Sequence, residues 1–284
     1  MSAGAAPVAI GGVGGSGTRV GAALLRQHGY YIGGDLNGAS DNLWFTLLFK
    51  DPAILQLDQP GFEARARIFW ARMSGARAPD VAECELVTAL AAHARFEHSR
   101  DWLSVRARTL LARRRRLAAR RWGWKEPNTA LVVGRLLQFD AQLRYIHFVR
   151  HPLAMALSNN QNQLRNWGVA LLGAGAQATP RGSLAFWCAA HRITAAALSR
   201  HPDRTLILDF DDLCARPVAS AGAVAAFLGH EFSAAAAARF ERLVRAGAPQ
   251  GDRRAGVDLA QFDPKDIAYV ATLGYDLSAA GRAA

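Results

Sequence analysis

Val8-Ala-Ile-Gly-Gly-Val-Gly-Gly-Ser-Gly-Thr-Arg-Val20 decides how this chain is read. The apolar run Val8 to Ile10 enters a stretch holding five glycines, which exits into the helix-like Val20-Gly-Ala-Ala-Leu-Leu25. A strand, a glycine-rich turn and a helix N-terminus in that order make an anion site. Free backbone N–H groups and the positive end of the helix dipole point at whatever sits there. The expected guest is a phosphate or sulfate group on a nucleotide. A tight turn with no ligand is the plainer explanation, but so much glycine between a strand and a helix is costly without a reason.

The loop departs from the triphosphate-binding pattern G-x-x-x-x-G-K-[ST] where it matters most. Gly12 and Gly17 keep the glycine spacing, but Thr18-Arg19 follows instead of Lys and a hydroxyl residue. The lysine that reaches the β- and γ-phosphates is absent, and so is the hydroxyl that would bind magnesium just after it. The dinucleotide pattern G-x-G-x-x-G also fits as Gly12 to Gly17. Asp35 lies near the distance at which that pattern expects an acidic residue.

The 284 residues are 51% hydrophobic, enough for one large α/β domain with a substantial core. No uncharged apolar run is long enough to span a membrane, and no basic segment followed by an apolar core opens the chain. Cys84, Cys188 and Cys214 are scattered, with no metal spacing and no disulfide framework. These features predict a cytoplasmic protein without a metal site. Net charge is +11, and eight arginines fall between Arg106 and Arg121. They read as a solvated face of an arginine-rich helix, or as a surface for an acidic partner. No aromatic residues interleave them, so a nucleic-acid platform is not expected.

Five segments read as strands: Val8–Val13, Tyr30–Gly33, Arg121–Lys125, Leu143–Val149 and Thr205–Asp209. The last two are nearly continuous apolar runs, as in strands buried on both faces of a parallel sheet. Helical patterns separate the strands, at Thr18–Gln27, Asn128–Phe139, Pro152–Asn166, Ser183–Ser199, Val218–Leu228 and Ala234–Arg245. The expectation is a single α/β domain over residues 1–284. Its core is a P-loop-like, doubly wound, mainly parallel sheet of about five strands, with a helical insertion over about 43–120. Residues 168–182, rich in Gly and Ala, read as a mobile loop.

Arg150-His-Pro-Leu-Ala-Met-Ala-Leu-Ser158 follows the strand ending at Val149. Arg150 sits at the carboxyl end of that strand, where open α/β sheets bind ligands. Pro152 suits the first turn of a helix, and Ser158 falls on the second turn. Arginine and serine can then converge on one phosphate. Pairing of Arg150 with a surface carboxylate explains the segment equally well alone. Together with the first loop, it suggests a nucleotide with an anionic group at each end.

At this point the chain resembles the sulfotransferase superfamily, whose donor is 3′-phosphoadenosine 5′-phosphosulfate. Gly14-Gly-Ser-Gly-Thr-Arg19 looks like the loop that binds the 5′-phosphosulfate, and Arg150 to Ser158 has the spacing of the 3′-phosphate segment. Leu206-Ile-Leu-Asp-Phe-Asp-Asp-Leu213, with Pro217 and Ala-Phe-Leu-Gly229, looks like the family's late strand and helix. Trp124-Lys-Glu-Pro-Asn128 is similar to the Lys-x-Pro segment of tyrosylprotein and carbohydrate sulfotransferases. The resemblance runs from about Val8 to Gly229 and matches the helical region poorly. One departure stands out: Gly15 occupies the position where many members carry Lys or Arg.

The resemblance implies in-line transfer of a sulfuryl group to an acceptor hydroxyl or amine, without a required metal. Donor-binding residues are then Gly14, Gly15, Ser16, Gly17, Thr18, Arg19, Arg150 and Ser158. Lys125 is the expected catalytic cation, Arg19 a substitute for the charge missing at Gly15, and Asp35 the general base. Asp41 is the second candidate base, unless Asp41-Asn42 caps the following helix. An ordinary Lys125–Glu126 surface pair is the competing reading of Lys125. His147 reads as a core histidine, and His151 as a neighbour of the phosphate site. Trp44, Phe45, Phe69 and Trp70 read as acceptor contacts or as core. Gln250-Gly-Asp-Arg-Arg254 reads as a solvent loop, or as the place where some relatives put basic residues over the donor's 3′-phosphate, with Arg253 or Arg254 in that role. The acceptor is a small molecule, carbohydrate or peptide, and oligomeric state is not assigned. A P-loop-like kinase is the first alternative, and a non-catalytic nucleotide- or nucleic-acid-binding protein the second.

Overall fold

The computed structural model describes residues 6–95, 97–112, 121–247, 254 and 257–277. Strands β1 (Val8–Gly12), β2 (Gly123–Lys125), β3 (Arg144–Val149) and β4 (Thr205–Asp209) form one mainly parallel sheet in the order β2-β1-β3-β4. β1 pairs in parallel with β2, placing Ile10 opposite Lys125. Every residue of β1 is buried, as is β3 after Arg144, as its apolar run predicts, whereas β4, also read as buried on both faces, is only partly covered, with Ile207 57% exposed. The predicted strand at Tyr30–Gly33 contributes only one parallel bridge, from Tyr31 to Trp122. Its next carbonyl, on Ile32, accepts from Asn42 Nδ2 at 3.1 Å. That carbonyl faces away from β2, and the pairing ends because Gly33, with φ of +121°, leaves the extended conformation.

The chain divides into two compact units. The first comprises Met1–Gly11, Thr18–Ile146 and His201–Thr205. It holds α1 (Thr18–Gln27), α2 (Leu43–Phe49), α3 (Gln59–Ser74), α4 (Val81–Ala91), α5 (Arg100–Leu111) and α6 (Thr129–Phe139). The predicted helical region is helical in its described part, apart from short connections and one bridge between Arg95 and His98. Its starts follow capping chemistry: Asn42, Asp58, Asp80 and Ser99 each accept backbone N–H groups of the next helix. Leu43-Trp-Phe-Thr-Leu-Leu-Phe49 is buried on all sides. Phe45 stacks on Phe49 at 4.6 Å, and Phe69 meets Trp124 of β2 edge-on at 5.1 Å. Such pairs add to area burial worth ~2 kcal/mol per ring. Trp44, Phe45 and Phe69 have no exposure, and Trp70 donates to Asp140 Oδ2 at 2.6 Å. Trp44, Phe45 and Phe69 are core, and Trp70 is half-buried beside them.

The second unit comprises Gly12–Gly17, His147–Arg200 and Leu206–Ala284. It holds α7 (Pro152–Ala156), α8 (Asn162–Leu172), α9 (Pro180–Leu198), α10 (Phe210–Ala215), α11 (Pro217–Leu228), α12 (Ala234–Gly247) and α13 (Pro264–Thr272). Leu153, Leu184, Trp187, Phe262 and Val270 form its core around α9. The helix predicted over Pro152–Asn166 breaks after Ala156 and resumes at Asn162. Gln161 Nε2 reaches back to the carbonyls of Met155, Ala156 and Ser158, so one side chain satisfies the end of α7. Ser158 therefore lies beyond α7, not on its second turn. The predicted loop at 168–182 shrinks to 173–179, because α8 continues to Leu172 and α9 starts at Pro180. His147 is a core histidine, its pKa pushed down to about 3 by burial. No helix of the described residues is long and apolar enough to cross a membrane. Arginines 113–116 and 120, and Arg253, lie outside the described residues.

Candidate active site

Each unit carries one group of the sequence-predicted residues. In the second unit the glycine loop turns tightly, with Ser16 N donating to Val13 O at 3.1 Å. Gly15 and Gly17 have φ of +89° and +85°, in the left-handed region that favours glycine. A Cβ on Gly15 would lie 3.4 Å from Met155 Cε and 3.9 Å from Ser158 Oγ. Arg150 Nη1 donates to the Gly15 carbonyl at 3.4 Å, and Arg150 Nε lies 3.8 Å from Asp211 Oδ1. The structure therefore brings Arg150 and Ser158 to the same glycine. A lysine at position 15 would have to adopt a strained backbone.

Ser16 Oγ is buried and has no hydrogen-bond partner among the described residues. A buried hydroxyl without a partner loses hydration with no return, unless a ligand supplies an acceptor. The loop thus fits an anion through Ser16 and the donors left on the Arg150 guanidinium. His151 does not belong to this set. Its Nδ1 accepts from Leu153 N at 3.3 Å, and Nε2 meets Asp276 O at 3.0 Å, so the ring caps α7.

In the first unit, Thr18 and Arg19 open α1. Thr18 is buried and Arg19 exposed. A cation in the first turn of a helix opposes the dipole, a cost that a bound anion would relieve. A cavity of about 490 Å³ lies in the same unit. Asp35, Asp41, Lys50, Glu97, Arg106 and Glu126 line it. Lys125 stands at the end of β2, 2% exposed, and pairs with Asp41, not with Glu126. Asp41 also accepts from Asn37 Nδ2 at 2.8 Å. The helix cap is Asn42, which accepts from Trp44 N and Phe45 N.

Asp35 is already engaged. Its Oδ2 forms an ion pair with Arg106 Nε at 2.9 Å and accepts from Thr109 Oγ1 at 2.5 Å, and Thr109 in turn accepts from Trp44 Nε1 at 2.9 Å. Arg106, read from the sequence as part of a solvated stretch, turns inward, with its guanidinium 4.6 Å over Trp102. His98 stacks on Trp102 at 4.0 Å. Burial and the nearby Lys50 charge push the His98 pKa down to about 4.

Two participants escaped sequence reasoning. Gln163 brackets the loop: its Oε1 accepts from Gly14 N at 2.5 Å, and its Nε2 donates to Gly12 O at 3.3 Å. The run Asn159-Asn-Gln-Asn162 just before it, amide-rich in sequence, was the available signal. Glu126, read only as a neighbour of Lys125, is buried with both carboxylate oxygens hydrogen-bonded, to Asn128 N at 2.6 Å and Asn128 Nδ2 at 2.7 Å.

Several solved structures are similar to this one. Sulfotransferase STF9 from Mycobacterium avium is 14% identical, with a TM-score of 0.49 over 98% of this chain and 79% of that one. The sulfotransferase domain from the curacin biosynthetic pathway is 17% identical, with a TM-score of 0.47 over 96% and 99%. The sulfotransferase domain of the Synechococcus PCC 7002 olefin synthase is 18% identical, with a TM-score of 0.46 over 96% of each chain. No curated protein matches the sequence. The model of the sulfotransferase family matches residues 7–234, most of the chain, and this protein therefore belongs to the sulfotransferase family.

Proposed function

We propose that this protein moves a sulfuryl group from 3′-phosphoadenosine 5′-phosphosulfate to a hydroxyl or amine of a small polar acceptor, within a single domain spanning the chain. The observation that carries the reading is the meeting of Arg150 and Ser158 at Gly15, beside the partnerless Ser16 hydroxyl. In this reading Gly14, Gly15, Ser16, Gly17, Thr18 and Arg19 hold the 5′-phosphosulfate, and Arg150 and Ser158 hold the 3′-phosphate. The donor supplies an activated sulfuryl group with a phosphate leaving group. Lys125 and Arg19 stabilise the negative charge that develops on transfer, work a metal ion would otherwise do. Arg106 and Thr109 fix Asp35, whose remaining oxygen orients the acceptor. The cavity lining, mostly charged and amide groups, favours a hydroxyl- or amine-rich acceptor such as a sugar over a flat apolar one.

Thermal unfolding tests the donor. 3′-Phosphoadenosine 5′-phosphate without magnesium, at about 100 times its Kd, should stabilise the fold by about 2.7 kcal/mol and raise Tm by several degrees. Stabilisation by ATP with magnesium, and none by that ligand, would overturn the reading in favour of a kinase. Arg150→Ala should weaken the same ligand about 10- to 100-fold in calorimetry at fixed salt, the range for losing charged hydrogen bonds. Unchanged affinity removes Arg150 from the site.

A further inference from the structure

The cavity of the first unit presents four carboxylates, and three are neutralised. Arg106 pairs with Asp35, Lys125 with Asp41, and Lys50 with Glu97 at 3.0 Å. Glu126 is the lining carboxylate with no ion pair among the described residues. It follows Lys125 directly at the carboxyl end of β2, and its own N–H donates to Ile10 O at 3.1 Å. The backbone N–H and side-chain amide of Asn128 grip the carboxylate in one orientation. Both partners are donors, so they hold Glu126 as an acceptor and leave lone pairs for a further proton.

We infer that Glu126 is the general base of the transfer, taking the acceptor's proton while Asp35 and Asp41 serve as paired, orienting groups. This rests on the sulfotransferase reading. The acceptor oxygen donates its electron pair to sulfur, its O–H bond breaks and the proton goes to the Glu126 carboxylate. The bond from sulfur to the bridging phosphate oxygen breaks, and 3′-phosphoadenosine 5′-phosphate leaves with that electron pair. Atoms and charge balance without a further reactant.

The surroundings match the task. Burial raises the Glu126 pKa to about 7, against the opposing pull of Lys50. Asp41 raises it further, while the Asn128 hydrogen bond and Lys125 lower it. On β3, burial and the Glu126 charge keep the Tyr145 phenol protonated well above its ordinary range. A base poised near 7 is ionised enough to act and basic enough to pull a proton. His98, the cavity's imidazole, titrates at about 4 and is the weaker acceptor.

The test uses the full chain and labelled donor, with glycerol and water as hydroxyl acceptors. Wild-type donor consumption should rise with pH through an inflection near 7. Glu126→Gln should consume donor about 100-fold more slowly with no such inflection, while Asp35→Asn keeps it. Carbon NMR of glutamate-labelled protein should show one carboxyl titrating at the same pH, absent from Glu126→Gln. Lys50→Gln should move both the NMR and the kinetic midpoints to higher pH, by about tenfold in proton concentration. Wild-type turnover in a folded Glu126→Gln, or a kinetic midpoint that does not follow the NMR midpoint in Lys50→Gln, overturns the assignment. Binding of 3′-phosphoadenosine 5′-phosphate separates the two failures. Lost binding in the wild type defeats the sulfotransferase reading, whereas intact binding with unchanged Glu126→Gln turnover defeats only the base.

Discussion

Gly17→Ala is expected to abolish binding of 3′-phosphoadenosine 5′-phosphate and to lower the melting temperature markedly. A Cβ at this position would sit 2.0 Å from Phe210 Cδ2 and 2.2 Å from Cε2, far inside contact distance. The ring has little room to retreat, because Phe210 is only 5% exposed. The φ of +85° adds backbone strain that any L side chain would bear. Overpacking and strain together cost about 3 kcal/mol, or roughly 5 °C in Tm for a chain of this size. The Arg150 guanidinium lies 5.4 Å over the Phe210 ring, so displacing the ring also displaces the group proposed to hold phosphate. Two comparisons isolate the cause. Gly15→Ala carries similar φ strain but meets only the flexible Met155 tip at 3.4 Å, and should lose about 1 kcal/mol. Phe210→Leu in the Gly17→Ala background should recover part of the lost stability. Equal losses in Gly15→Ala and Gly17→Ala would rule out the steric account.

The sequence made the loop legible because local grammar carries it: an apolar run, glycines, then a helix start. The same holds for β3 and β4 and for the capped helices. Tyr30–Gly33 makes one bridge and no longer strand because Gly33 leaves the extended conformation, a turn that strand propensity does not show. The helix from Pro152 was read too long because its end is made by a side chain, Gln161, that curls back onto the last carbonyls. Within the candidate site, the side-chain pairings leave no trace in the sequence. Lys125 was weighed against its sequence neighbour Glu126, but its partner Asp41 lies 84 residues away. Asp35 meets Thr109 across 74 residues, and Gly14 meets Gln163 across 149. Contacts at such separations are fixed by packing of the whole chain and leave no local pattern.

Lys125→Ala should lower turnover about 1000-fold while affinity for 3′-phosphoadenosine 5′-phosphate changes little, the size expected when a charge serving only the transition state is removed. The same substitution should also destabilise the fold. Lys125 is nearly buried, and its loss leaves Asp41 facing the cavity with, among the described residues, the Asn37 amide as its side-chain support. A drop in activity alone would therefore be ambiguous between catalysis and scaffolding. The double variant Lys125→Ala with Asp41→Asn resolves it, because removing the stranded charge should return part of the lost stability without returning turnover. If turnover returns together with stability, Lys125 supports the cavity wall and another group, Arg19 foremost, neutralises the transferring charge. If stability returns and turnover does not, the ammonium itself acts on the reacting groups.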